Sequence, residues 1–313
     1  MRSEWKKPIA IIILWFAAIM AIASCDAADP AASANDQPYV VCTTGIVGDT
    51  VRRIAGEHAR VESLMSPGVD PHLYKATESD VRRLADADLI IYNGLHLEGK
   101  MADILVKMAR QRPVVAVTDG LPENRLREPP EFEGQYDPHI WFDVELWSQT
   151  LDTIVEALSE IDPDHAADYA SNAAAFRDEL IALDAWVKER INEIPAERRI
   201  LITAHDAFGY FGARYDIEVM GLQGISTVTE AGLLDVERIV DTVVSRGVRA
   251  IFVESSVPKR SIEAVQEACR SRDFEVAIGG ELFSDSMGPA GTEEGTYVGM
   301  VRHNANTIAD ALQ

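Results

Sequence analysis

Seven histidines occur in the chain, and two of them share one tripeptide: Asp70-Pro71-His72 and Asp137-Pro138-His139. Proline fixes its own φ and biases the preceding residue toward an extended backbone, so each imidazole is delivered from a constrained turn. A third, His205, follows the apolar run 200–203 and so sits at a strand's carboxyl end, where open α/β sheets place ligands. Asp285, in Phe283-Ser284-Asp285-Ser286, lies past Gly279-Gly280, beyond the last expected strand. Three imidazoles and one carboxylate suit a borderline divalent ion such as Zn2+ or, with more oxygen donors, Mn2+. Two of the four come from each half of the chain, so a site between two lobes could receive them all. Spacing alone leaves open that each histidine is a hydrogen-bonded loop or core residue, because no two of the four are sequence neighbours.

The elements that must position them read as α/β. Short apolar runs at 40–43, 61–65, 89–92 and 114–117 look like buried strands, with helical stretches at 80–85 and 100–110 between them. The second half repeats the alternation, with strands expected at 200–203, 218–220, 250–253 and 275–278. Strand and helix at this pitch imply two lobes, each with a small, mostly parallel sheet flanked by helices. Between them, 163–194 contains no glycine, and its apolar residues Tyr169, Phe176, Leu180, Leu183, Val187 and Ile191 recur at helical spacing. Asp162 before Pro163 reads as an N-cap, and Pro195 as the stop. About 30 residues at 1.5 Å each give a rigid linking helix of roughly 45 Å. The expected organisation is therefore an N-terminal lobe at 39–162, the linking helix at 163–194 and a C-terminal lobe at 195–313.

The length of 313 residues agrees with two lobes, and 47% hydrophobic with 26% charged residues is ordinary for a globular protein. A formal net charge of -22 argues against nucleic acid as a partner, because phosphates would be repelled. Arg2, Lys6 and Lys7 precede an apolar run at 9–23, which is short for a membrane span and suits a secretory signal over 1–24. The run ends in Ile22-Ala23-Ser24-Cys25, which resembles the bacterial lipobox, with Cys25 as the lipidated residue. Residues 25–38, rich in Ala, Asp, Ser and Pro, read as a flexible tether. The chain is thus expected outside the cytoplasm, held to a membrane through a lipid on Cys25. Of the other cysteines, Cys42 and Cys269 are expected to be buried and unpaired, and no CxxC spacing offers a thiolate metal site.

Five segments together resemble the zinc/manganese-type solute-binding proteins of metal ABC transporters. They are Gly68-Val69-Asp70-Pro71-His72-Leu73-Tyr74, Asn93-Gly94-Leu95-His96-Leu97-Glu98, Asp137-Pro138-His139-Ile140-Trp141, the stretch 203–211 around His205, and Gly295-Thr296-Tyr297 with 300–304. The resemblance runs in order from about residue 39 to the end. It implies two α/β lobes joined by one long helix, one divalent ion in the cleft, and delivery to an ABC permease by a monomer. The family's ligands carry over onto His72, His139, His205 and Asp285. Two departures bear on the metal. Many zinc-type members have a histidine-rich loop before the second ligand, whereas 119–136 here carries Glu123, Glu128, Glu131 and Glu133 but no histidine. Many manganese-type members have Glu where this chain has His205, and an imidazole there shifts the balance toward Zn2+.

Three further residues are expected to support the site: His96, near Glu98, by ordering a loop, and Asp206 and Glu281 by orienting the ligands beside them. His303 is expected to make a structural hydrogen bond, Arg302 and Glu254 a buried polar contact, and His58 and His165 to be solvated. Two other functions compete: a secreted metallohydrolase using the same ligands with Glu281 or Asp206 as general base, and a metal-stabilised surface adhesin. The chain has no HExxH and no recognisable nucleophile elbow, which weighs against an enzyme. Metal affinity is expected to fall below about pH 6.5, where an unperturbed imidazole protonates.

Overall fold

Short β-branched runs bounded by turns pair in parallel when helices cover both faces. In this computed structural model they do so as β1 (Tyr39–Cys42), β2 (Arg60–Ser63), β3 (Leu89–Tyr92) and β4 (Val114–Ala116), in the order β2-β1-β3-β4. All three pairings are parallel. The structure describes residues 37–132 and 134–313. The signal segment 1–24, Cys25, most of the tether and Glu133 lie outside the described residues. Helices α1 (Gly45–Ala55), α2 (Glu78–Asp86) and α3 (Ala102–Met108) connect these strands. Local chemistry starts them: Thr44 Oγ1 accepts from Val47 N at 3.3 Å, and Thr77 with Asp80 forms a reciprocal capping box on α2.

Two short helices, α4 (Val144–Trp147) and α5 (Thr150–Ile161), lead to α6 (Ala166–Asn192). Its 27 residues span about 40 Å, and Tyr169, Ala173, Phe176, Leu180, Leu183, Val187 and Ile191 are buried along it. The start differs from the expected one: Pro163–His165 is a 3-10 turn, and the Asp162 side chain makes no capping hydrogen bond to it. Its carboxylate instead accepts from Tyr169 Oη at 2.5 Å and pairs with His165 Nδ1 at 2.7 Å. His58 and His165 are likewise less free than solvated side chains, because their rings stack with centroids 4.0 Å apart.

The second half carries β5 (Ile200–His205), α7 (Gly209–Tyr215), β6 (Glu218–Gln223), α8 (Leu233–Arg246), β7 (Ala250–Glu254), α9 (Arg260–Arg270), β8 (Ala277–Leu282) and α10 (Tyr297–Leu312). β5 pairs with β6 and β7 with β8, both parallel. β8 starts later than expected and runs through Gly279-Gly280. Glycine is what permits this: a Cβ at Gly279 would meet Phe252 Cε1 at 2.7 Å, and Gly280 has φ +147 beside a register shift opposite Ile251 and Phe252. The main core joins β1 and β3 to α1, α5, α6 and α10 through Trp141, Trp147, Tyr169 and Tyr297. Cys42 and Cys269 are buried and unpaired. No helix among the described residues is long and apolar enough to cross a membrane.

Candidate metal centre

Each of the four predicted ligands stands where a strand or turn ends. His72 follows a turn in which Asp70 Oδ1 accepts from the His72 backbone N–H at 2.8 Å. His139 comes from the matching turn, with Asp137 Oδ1 accepting from its N–H at 3.0 Å. That second turn is also held by Asn93 Nδ2, which donates to Pro138 O at 3.0 Å, and by Tyr210 Oη, which donates to Asp137 O at 3.1 Å. His205 is the last residue of β5, and Glu254, at the end of β7, accepts from its N–H at 2.8 Å. Asp285 lies three residues past β8. There α10 clamps the chain through Asn304, whose side chain accepts from Phe283 N at 2.9 Å and donates to Phe283 O at 2.7 Å. Trp141 Nε1 adds a hydrogen bond to Ser284 O at 3.0 Å.

These elements bring His72, His139, His205 and Asp285 together, with one ligand atom from each all within 4.8 Å of one another. All four are at most 3% exposed. His72 Nε2 is 3.3 Å from His139 Nε2 and 3.6 Å from Asp285 Oδ2. His139 Nε2 is 3.3 Å from Asp285 Oδ1, and His205 Nε2 is 3.4 Å from Asp285 Oδ2. His205 Nε2 and both Asp285 oxygens are buried with no hydrogen-bond partner. Leaving three buried polar atoms unmatched costs about 1–3 kcal/mol each unless another group completes them.

Behind the ligands stand two carboxylates. Asp137 Oδ1 is 2.7 Å from His139 Nδ1, and Glu254 Oε2 is 2.5 Å from His205 Nδ1. A carboxylate on Nδ1 fixes the ring's orientation and turns the Nε2 lone pair inward, as in carboxylate–histidine–metal triads. Burial pulls His139 down, but Asp137 and Asp285 outweigh it and raise the ring to about 9. Burial likewise opposes His205, yet Glu254 and Asp285 lift it well above its ordinary value. Burial dominates at His72, which falls to about 3 despite Asp285. Asp285 is pushed up by burial and down more strongly by His205 and His139, ending well below the carboxylate range. The two carboxylate-braced rings, His139 and His205, are thus pushed toward the protonated form, while burial holds His72 toward the neutral one.

His96 and Glu281 do not take the supporting places expected of them. His96 is exposed, because Leu95 and His96 both adopt positive φ (51° and 64°) and the turn carries the ring outward. The loop is ordered instead by buried Glu98, which accepts from Thr43 Oγ1 and Asn93 N at 2.7 and 2.8 Å. Glu281 extends to Lys259, 2.5 Å away and 57% exposed, so it does not orient Asp285. Asp206 is half-buried and lines a different cavity with Gly221 and Gln223. His303 Nε2 bonds Glu281 O at 2.9 Å, and Arg302 lies over the Trp186 ring at 4.6 Å, away from Glu254. Asp137 was legible in the repeated Asp-Pro-His turn. Glu254 carried no signal, since only the tertiary packing of β7 beside β5 sets it next to His205.

A buried imidazole–carboxylate centre at the ends of parallel strands defines the class as a metal-binding α/β protein. The description "Zinc-uptake complex component A periplasmic" fits residues 40–311. Among curated relatives, the manganese-binding lipoprotein MntA of Bacillus subtilis is 46% identical over 297 residues, covering 95% of this chain and 96% of that one. The zinc-binding protein TroA of Treponema pallidum is 48% identical over 281 residues, covering 90% and 91%. The solved structure of periplasmic zinc-binding TroA matches with a TM-score of 0.86 at 47% identity, over 88% of this chain and 99% of that one. The chain belongs to the zinc-uptake component A (ZnuA) family of metal-binding substrate-binding proteins.

Proposed function

We propose that the chain is the receptor of a metal ABC importer. In this reading it binds one divalent ion outside the cytoplasm through His72, His139, His205 and Asp285 and passes it unchanged to a membrane permease. The observation that carries the reading is the set of buried, partnerless atoms on His205 and Asp285 that face His72 and His139. Three nitrogen donors favour Zn2+ over Mn2+, in keeping with the order of divalent affinities. With four protein donors turned on the ion, no position is reserved for a substrate or an activated water, so the protein is not an enzyme. Relatives named as lipoproteins support a tether on Cys25 and a place at the membrane surface. The lobes 39–162 and 195–313 would move little about 163–194, as a monomer.

Native mass spectrometry of the soluble chain from Asp26, stripped of metal and offered equimolar Zn2+ and Mn2+, tests this directly. One ion should be retained, mainly Zn2+, and His205→Ala should abolish retention while leaving the metal-free protein folded. No stoichiometric ion at neutral pH would overturn the reading.

A further inference from the structure

The three imidazoles are not held alike. Asp137 braces His139 and Glu254 braces His205 through their Nδ1 atoms. Among the described residues, no carboxylate hydrogen-bonds His72 Nδ1. The position of His72 instead depends on its backbone turn, and that turn is secured from the other half of the chain. Asp70 receives the His72 N–H on Oδ1 and, on Oδ2, the hydroxyl of Thr227 at 2.6 Å. Thr227 is only 6% exposed and belongs to the loop that follows β6, whose last residue, Gln223, pairs with His205. One further tie crosses the same gap, from Gly68 N to Ser286 Oγ at 2.6 Å, one residue past Asp285.

We infer that Thr227 and Asp70 form a latch that holds His72 over the ion, and that its opening sets the rate of metal release. The inference rests on the receptor reading above. With the latch made, the Asp70-Pro71-His72 turn is stitched to the loop after β6, the strand paired with the one that ends in His205, and the ring Nε2 stays at the centre. With it broken, the turn keeps its internal Asp70–His72 bond and its proline, so it can swing outward as a unit. His139 and His205, braced from behind, and Asp285, clamped by Asn304, stay in place. Release then proceeds through loss of one ligand rather than by dismantling the whole centre. Thr227 is accordingly a positioning residue: it acts on the ion only through Asp70 and His72.

The test compares Thr227→Val, which keeps the shape and removes the hydroxyl, with Thr227→Ser, which keeps the hydroxyl. Zn2+ is loaded, and its dissociation is followed by stopped-flow transfer to a chromogenic chelator; association and metal-free melting are measured alongside. Thr227→Val should release Zn2+ about 10-fold faster, at the low end of what outer-shell changes cost in metal affinity. Association should stay within about twofold, metal-free melting should be unchanged, and Thr227→Ser should restore slow release. Release at the parental rate from Thr227→Val overturns the latch, as does equal acceleration in Thr227→Ser. A lowered metal-free melting temperature with parental release would show a merely structural role. If the parent chain itself takes up no Zn2+, the receptor reading has failed and the latch with it.

Discussion

Adding Zn2+ to the metal-free protein at neutral pH should expel protons, and the affinity should keep rising well above the pH at which free imidazoles finish titrating. A ring that is protonated before binding must lose its proton to ligate. Because His139 sits at about 9, it is protonated at pH 7 and costs about a hundredfold in apparent affinity, roughly 3 kcal/mol. His205, raised in the same direction, adds a second proton, whereas His72 at about 3 adds none above pH 6. His139 alone should therefore make apparent affinity climb by about a decade per pH unit between 6 and 8 and level off only near 9, with His205 steepening the slope in the same direction. Three unperturbed imidazoles would instead flatten above about pH 7.5. The structure thus moves the window upward from the 6.5 expected of isolated side chains. Titration calorimetry at pH 7 in two buffers of different ionisation enthalpy counts the protons, and chelator competition at pH 6, 7, 8 and 9 gives the slope. No proton release, or an affinity flat from pH 7 to 9, would refute the charge assignment.

The same shift has a stability counterpart. A raised imidazole stabilises the metal-free fold fully below its unfolded value near 6.5, and that contribution disappears as pH rises through about 9. Urea unfolding of the stripped protein should accordingly weaken between pH 7 and 9. Glu254→Gln removes the charge behind His205 and should cost 10–100-fold in Zn2+ affinity, measured by chelator competition. At Gly280, φ +147 and a Cβ that would meet Thr307 Cγ2 at 2.5 Å predict a loss of about 1–3 kcal/mol for Gly280→Ala in urea titrations. Asp184 accepts two hydrogen bonds from Arg214, one from Lys188 and one from Tyr215, so Asp184→Ala should cost about 2–3 kcal/mol by the same measurement.

Much of the protein was determined by local sequence. Apolar runs of four to six residues could be nothing but buried strands once helical segments separated them, and the heptad-like spacing from Tyr169 to Ile191 required one long helix. The Asp-Pro-His repeat brought its own turn chemistry, because proline and an aspartate two residues before the ring act over three residues, whatever the rest of the chain does. Tertiary structure decided what depends on strand order and on pairs far apart in the chain. Glu254 reaches His205 across 49 residues and Thr227 reaches Asp70 across 157, with no period or motif linking them. The same holds for charge. Glu281, near Asp285, looked like a support because it was a neighbour in sequence. Glu281 reaches Lys259, and it is Glu254, brought in by the packing of β7 beside β5, that faces the His205 ring, because a side chain's partner is set by what the fold packs against it and not by its distance along the chain.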